Sequence, residues 1–407
     1  MSIVVKKFGG TSVESIEKIS KIAKHLASEK QKGDGIVVVV SAMGKTTDSL
    51  FSLAYEITKT PNQREMDMLL TAGERVTMAL LSLSLQKLDI QSISFTGSQS
   101  GIITNNSHGN AKIMTINAFR IFKELSKGKI VIVAGFQGVS YEKEITTLGR
   151  GGSDTTAVAL ASFLKAKKCE IFTDVDGVYQ VDPKIVSSYL CNHDIQKFKK
   201  MDNLSYEEML YMSLTGSKIL HSRATEFAYK YAIPIEIKSS IDYKGGTMIG
   251  NETEINTSEN EFIEKPIIKT ISCKENVILF KTNITNTTLP PFQTEIFDWE
   301  IFTPESKLAD SASAIFYIEK KYKEKFINEL HDFEITFSFE DKEYAIINIL
   351  GYRINRDIDF LRNLYSNIKN SCKESLSIKN QGIGVQVVIV QNDAANVLQC
   401  IGECLTS

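Results

Sequence analysis

Residues Ile3–Val13 read Ile-Val-Val-Lys-Lys-Phe-Gly-Gly-Thr-Ser-Val. The first part, Ile3–Lys7, lacks the apolar/polar alternation of a strand with one wet face, as expected of a buried strand in a largely parallel sheet. The Gly-Gly turn follows, and then Val13, Ile16, Ile19, Ala23 and Leu26 recur at three- and four-residue spacing, which puts them on one face of a helix starting right after the turn. A buried strand, a glycine turn and an amphipathic helix make one βα unit. Further apolar runs at Ile36–Val40, Ser92–Phe95, Ile130–Ala134 and Cys169–Thr173 alternate with stretches of helical period. The predicted fold class is therefore α/β, a largely parallel open sheet with helices on both faces.

That character holds to about residue 250. Asn251–Lys265 is polar, acid-rich and poor in periodic apolar residues, and reads as a linker. From Pro266 on, strand-like runs (Val277–Phe280, Tyr344–Leu350, Val385–Val390) alternate with helix-like ones around Lys321–Leu330, Asp357–Lys369 and Asp393–Leu405, which fits two small α+β modules. A chain of 407 residues has room for both regions, each with its own core.

Charge and composition exclude several function classes. With 47 basic and 49 acidic side chains the net charge is −2, too balanced for a nucleic-acid or acidic-membrane footprint. No apolar run approaches the ~18 residues of a membrane span, and MSIVVKKFGG has charges where a signal peptide needs an apolar core. The expectation is a cytoplasmic protein with neither nucleic acid nor membrane as partner. Cys169, Cys191, Cys273, Cys372, Cys400 and Cys404 form no C-x-x-C pair and read as reduced core thiols rather than zinc ligands.

Three constellations carry chemistry. Lys7-Phe8-Gly9-Gly10-Thr11-Ser12 suits anion binding: glycines let backbone N–H groups approach a phosphate, a helix N-terminus adds partial positive charge, and Lys7 adds a full one. Its bland alternative is a tight turn that needs glycine only for its backbone angles. Gly44-Lys45-Thr46 ends like a P-loop, but Val39 stands where that pattern demands glycine. In Gly149–Thr156, three glycines crowd around Arg150, Ser153 and Asp154 before an apolar helix. Ser153 or Asp154 would cap that helix, whereas the Arg150 guanidinium suits a bidentate grip on a carboxylate. Thr173–Tyr179, followed by Asp182-Pro183-Lys184, comes after a strand, where open α/β sheets bind ligands. Turn and site are equally open there. Smaller pieces are Ser41 and Thr47 after the second strand, Glu74 in a helical first turn, and Lys218, whose charge opposes the dipole of the helix it precedes unless an anion lies near.

In this order, KFGGTSV (Lys7–Val13), SAMGKTTD (Ser41–Asp48), AGER (Ala72–Arg75), GRGGSDTTA (Gly149–Ala157), TDVDGVYQVDP (Thr173–Pro183) and GSKILH (Gly216–His221) resemble the aspartokinase branch of the amino-acid kinase family. The resemblance covers Ile3–Ile249 strongly and the remainder loosely. It implies transfer of the γ-phosphoryl group of ATP, with magnesium carried on the nucleotide, to the side-chain carboxylate of L-aspartate. The product would be 4-phospho-L-aspartate, the first step towards lysine, threonine, methionine and isoleucine.

By the same resemblance, Lys7 and Lys218 flank the migrating group and Asp154 orients the lysines. Phe8, Gly9, Gly10 and Ser41 contact phosphates, and Thr173, Asp174, Tyr179 and Lys184 hold the rest of ATP. Arg150 and Ser153 take the acceptor's α-carboxylate and Glu74 its ammonium, with Thr47 and Phe136 lining the pocket. Residues 1–250 become the kinase domain, 251–265 a linker, and 266–407 an ACT-like regulatory pair, the first module divergent. Such modules bind amino-acid effectors and pair across subunits, which implies a homodimer or a higher homo-oligomer. Pro290-Pro291 and the absence of the usual effector-loop residues leave open another effector, or dimerisation alone. Two other functions compete: a kinase of this fold acting on another amino acid, and a non-catalytic amino-acid sensor.

Overall fold

The computed structural model describes residues 2–181, 199–217, 219–251, 267–285, 298–302, 311–332, 334–352, 354–372 and 377–406. The chain forms two compact units. One holds the described residues within Met1–Val178, Lys200–Leu214 and Lys218–Thr257; the other holds those within Tyr179–Lys199, Thr215–Ser217 and Ser258–Ser407.

The strands of the first unit are β1 (Ile3–Phe8), β2 (Gly35–Val40), β3 (Ser92–Phe95), β4 (Ile102–Thr104), β5 (Ile113–Ile116), β6 (Ile130–Ala134), β7 (Gln137–Ser140), β8 (Ile145–Thr147), β9 (Lys168–Thr173), β10 (Asn203–Ser205), β11 (Ile235–Ser239) and β12 (Thr247–Gly250). Eight of them make one sheet in the order β10-β12-β11-β9-β1-β2-β6-β3, and β5-β4-β7-β8 make a second, four-stranded sheet. The large sheet is parallel from β11 through β3, and β12 runs antiparallel to β11. From β1 the chain moves one way to β2 and later returns to the other side as β9, so the switch in strand order falls at β1, where such sheets bind ligands at their carboxyl ends.

Helices α1 (Ile16–Lys30), α2 (Thr46–Ile57), α3 (Gln63–Leu70), α4 (Ala72–Gln86), α5 (Phe119–Leu125) and α6 (Gly152–Phe163) complete the part of this unit that carries the site. Ile19, Ile22, Ala23 and Leu26 of α1 and Met78, Leu81 and Leu85 of α4 bury against Phe8, Ile36, Val38, Val40, Ile130 and Ile132. Consecutive strand residues face opposite ways, so Lys6 shares the α1 face with Phe8, while Lys7 faces α6 and meets its Asp154.

Two sequence expectations are corrected here. The first helix does not start right after the glycine turn: Gly10–Ser12 forms a 3₁₀ turn, Ser15 is the N-cap whose side chain accepts from Lys18 N–H, and α1 begins at Ile16. Ile16 is therefore exposed and Ile22 takes its place on the buried face. The second concerns membrane-span length. The helical stretch Gln63–Gln86 is long and apolar enough by length and composition, but half of its apolar window is buried inside the unit, as in a core helix.

In the second unit, β13 (Ile267–Thr285), β14 (Asp298–Phe302), β15 (Ser311–Glu319), β16 (Phe337–Phe339), β17 (Tyr344–Tyr352), β18 (Ser377–Gln381) and β19 (Gly384–Val390) form one sheet in the order β14-β15-β13-β17-β19-β18, with β16 beside β13. Its described ladders are antiparallel. Helix Lys323–Asp332 covers Phe280 and Phe316, and helices Ile358–Ser371 and Ala394–Thr406 cover Ile347, Val385 and Val387. The strand expected at Val277–Phe280 runs on through Thr285, into the segment ahead of Pro290-Pro291. The linker beyond Asn251 and the Pro290-Pro291 segment lie outside the described residues.

Candidate active site

The carboxyl ends of β1, β2, β6 and β9 converge on the Gly9–Ser12 turn. Gly9 N–H donates to Phe172 O, Ser41 N–H to Phe8 O, Gly44 N–H to Gly10 O and Gly135 N–H to Val40 O. Neither Gly9 nor Gly10 is required by a positive φ, and only Gly10 is tightly crowded. A Cβ on Gly10 would stand 3.1 Å from Ala42 O, and one on Gly9 would stand 3.4 Å from Lys7 Nζ. The lysine ammonium thus lies over the glycine turn. It pairs with Asp154 Oδ1 at 2.6 Å, both side chains being mostly buried.

Lys6, one residue earlier, goes elsewhere. It is 2% exposed, pairs with Glu170, and reaches Glu29 of α1 at 3.2 Å. Lys168 and Lys238 extend this network to Glu170 and Glu236, and together these cations hold the Glu170 carboxyl at about 2 against the opposing effect of burial. The adjacent lysines are distinguished only by the pleat, which sends Lys6 into a closed ion network and Lys7 to the ligand edge.

At the start of α6 the capping expectation for Ser153 and Asp154 is not met. The N-cap is Gly151, in the left-handed region at φ 63°, with no side-chain cap bond; Asp154 turns to Lys7. Gly151 is held from behind, since a Cβ there would fall 2.2 Å from the His221 ring. A Cβ on Gly135 would strike Ser153 Oγ at 2.7 Å, and Phe136, at φ 68°, is pinned by Thr156 Oγ1 accepting from its N–H at 3.1 Å. Arg223 donates to Leu148 O, to Ala111 O at 3.0 Å and to Asn110 Oδ1 at 3.2 Å, anchoring the chain just before the Arg150 loop. Sequence reading passed over Gly135 and Arg223, because neither stands in a pattern that announces a role. Gly151→Ala is expected to cost about 1–2 kcal/mol for the left-handed backbone alone, plus the contact with His221. A melting temperature equal to wild type would show that the loop is not held as tightly as this.

Glu74, in the first turn of α4, is 3% exposed. Its Oε1 accepts from Ala42 N–H at 3.1 Å, and its Oε2 has no hydrogen-bond partner. Burial raises the carboxyl to about 7, opposed by backbone N–H donors. A buried carboxyl with one oxygen left unbonded is suited to receive a cation, beyond complementing the helix dipole. Gly73 allows α4 to approach so closely, since a Cβ there would fall 2.7 Å from Ala42 Cβ.

The remaining expected residues divide. Thr47 is half-buried in the first turn of α2, and Arg150 is exposed in its loop. Thr173 Oγ1 donates to Asp174 Oδ1 at 3.1 Å at the end of β9. Tyr179 belongs to the second unit, and Lys184 and Lys218 lie outside the described residues. The arrangement thus brings together a glycine turn at the carboxyl end of β1, a lysine fixed by an aspartate, and a buried carboxylate one loop away.

Comparison with known proteins points the same way. The model of the amino acid kinase family matches residues 2–239. An aspartokinase of Geobacillus stearothermophilus is 52% identical over 255 residues, 63% of this chain and 60% of that protein. Aspartokinase 2 of Bacillus subtilis matches to the same extent. These matches span less than two thirds of either relative. Among solved structures, aspartate kinase from Synechocystis is 31% identical with a TM-score of 0.55, covering 99% of this chain and 69% of that one. E. coli aspartokinase III in complex with aspartate and ADP shares the fold at a TM-score of 0.76 and 22% identity, over all of both chains.

Proposed function

The chain belongs to the amino acid kinase family, and from that premise we propose that it is an aspartate kinase, forming 4-phospho-L-aspartate and ADP from L-aspartate and ATP. The observation that carries this reading is the Lys7–Asp154 pair set against the glycine turn, with buried Glu74 bonded to the neighbouring loop.

A side-chain carboxylate with an unperturbed pKa of ~3.9 is already ionised at neutral pH. It needs no general base. Its oxygen attacks the γ-phosphorus as the bond to the β-phosphate oxygen breaks, and the enzyme supplies position and charge. Backbone N–H groups of Phe8, Gly9 and Gly10, with Ser41, receive the phosphates. Lys7 neutralises charge building on the transferred group, and Asp154 keeps its ammonium over the glycine turn. Lys218 would flank the phosphoryl group from the other side. Thr173, Asp174, Tyr179 and Lys184 serve the nucleotide. Arg150 and Ser153 take the acceptor's α-carboxylate, Glu74 its ammonium, and Thr47 and Phe136 line the space between. Magnesium supplies charge neutralisation when bound with ATP. It would ride on the nucleotide's phosphates, and Asp154, held by Lys7, would help place that complex without serving as a dedicated metal ligand. Among the described residues no group of three His, Cys, Asp or Glu side chains gathers as a separate cage.

Residues 1–250 act as the kinase domain, 251–265 as a linker and 266–407 as a regulatory region for an amino-acid effector, in a cytoplasmic homo-oligomer. A structure of E. coli aspartokinase III carries lysine together with aspartate. Hydroxylamine traps an acyl phosphate, so the test is hydroxamate formation from MgATP with each candidate amino acid in turn. Signal with aspartate alone is expected. Signal with another amino acid and none with aspartate would move the substrate; no signal from a folded sample that binds ATP would favour a sensor without catalysis.

A further inference from the structure

Ala42, in the loop between β2 and α2, touches two parts of the site at once, and it is only 4% exposed. On one side its N–H donates to Glu74 Oε1 at 3.1 Å, and its methyl group lies so near the backbone of α4 that a Cβ on Gly73 would fall 2.7 Å away. On the other, its carbonyl oxygen lies against the glycine turn, 3.1 Å from where a Cβ on Gly10 would stand. The loop is tied to that turn by Gly44 N–H, which donates to Gly10 O at 3.0 Å, and to the end of β1 by Ser41 N–H, which donates to Phe8 O at 3.2 Å. One residue thus joins the carboxylate assigned to the α-ammonium and the turn assigned to the phosphates.

These contacts leave no slack. Carbon atoms rest at about 3.5–4.0 Å from one another, and a packed interior registers a change of a single methylene. The distance from Glu74 to the glycine turn is therefore set by the thickness of Ala42. It is also the distance that measures an acidic amino acid. The ammonium sits on the α-carbon, whereas the reacting carboxylate of the longer homologue lies one carbon–carbon bond, about 1.5 Å, further along the side chain.

We propose that Ala42 is a positioning residue that acts as a spacer: against Gly73, it fixes the distance between the ammonium site at Glu74 and the phosphoryl site at Gly9-Gly10, and so selects aspartate over the amino acid one methylene longer. This rests on the function proposed above. A methyl group on Gly73 would stand roughly 1 Å inside ordinary contact with the Ala42 methyl. The first turn of α4 then moves away and carries Glu74 with it, by a length comparable to one methylene. Transferring the methyl group from residue 42 to residue 73 leaves a single one in the gap, since a Cβ on Gly73 has its other neighbours, Thr46 Cγ2 and Ala42 Cα, at 3.5 and 3.8 Å.

The test compares kcat/KM for aspartate and for glutamate, with KM for ATP and melting temperature, in the wild type, in Gly73→Ala and in the exchange variant Ala42→Gly with Gly73→Ala. Where glutamate turnover falls below detection, its Ki against aspartate at saturating ATP is read instead. Gly73→Ala is expected to lower the preference for aspartate by about tenfold, within what one methylene is worth in a shaped pocket, and to leave KM for ATP within about twofold. The exchange variant should recover most of the preference, which a general loss of stability would not allow. A folded Gly73→Ala with the wild-type preference, or a lowered preference that the exchange does not restore, would overturn the proposal and leave the function standing. If Gly73→Ala fails to fold, Ala42→Val, which thickens the spacer itself, decides by the same measure. A wild-type chain that does not phosphorylate aspartate overturns the function and this inference together.

Discussion

Replacing Lys7 with alanine is expected to lower turnover with aspartate and ATP on the order of 100- to 1,000-fold, the range seen when one preorganised charge-stabilising donor is removed. Its ammonium lies against the glycine turn and is locked by Asp154 at 2.6 Å, so it needs no reorganisation as charge moves onto the transferred group. Alanine removes the charge and leaves Asp154 without its counter-ion, so melting temperature should be followed beside kinetics. Lys6→Ala is the control: it removes a buried cation from the Glu170 network on the other sheet face, and should reduce stability more than turnover per folded enzyme. A near-wild-type rate in Lys7→Ala would remove the lysine from the mechanism.

Glu74→Gln should raise KM for aspartate roughly 10- to 100-fold, the value of a charge-assisted bond, with KM for ATP little changed. Equal damage to both substrates would make the glutamate structural. The pH dependence follows from the carboxyl being raised by burial from 4.5 to about 7. In the free enzyme the folded state holds this proton more tightly than the unfolded chain does. The resulting advantage is full below pH 4.5 and is lost as pH rises through about 7, a change on the order of 3 kcal/mol. Glutamine cannot titrate, so Glu74→Gln should lack that decline and melt higher than wild type above neutrality while binding aspartate poorly. An ammonium needs the ionised carboxylate, so wild-type KM for aspartate should climb as pH falls below 7, whereas that of Glu74→Gln should not follow. Matching melting curves across pH would show that Glu74 is not the buried acid described.

The chain's own order decided much of this. Runs such as Ile36–Val40 and Ile130–Ala134 can only be strands buried on both faces, and they are found at or within one residue of those bounds. Gly149 and Gly151 stand where φ is positive, and Gly152 where a Cβ would fall 2.9 Å from the Phe136 ring, a backbone property that leaves its mark on the residue type itself. Other features are relations between distant residues. That Lys7 rather than Lys6 reaches the ligand edge depends on which sheet face meets α6. That Asp154 binds Lys7 instead of capping its helix depends on two segments 147 residues apart. Glu74 reads locally as an ordinary first-turn glutamate and becomes an acid near 7 only because Gly73 lets α4 close against Ala42. Tyr179, which follows a strand of the first unit in sequence, belongs to the second. Sequence alone determined the elements and the place of the glycine turn, because burial periodicity and the run of glycines are local. The partners of each charge were decided by tertiary structure, because desolvation and pairing depend on what the fold brings within a few ångströms.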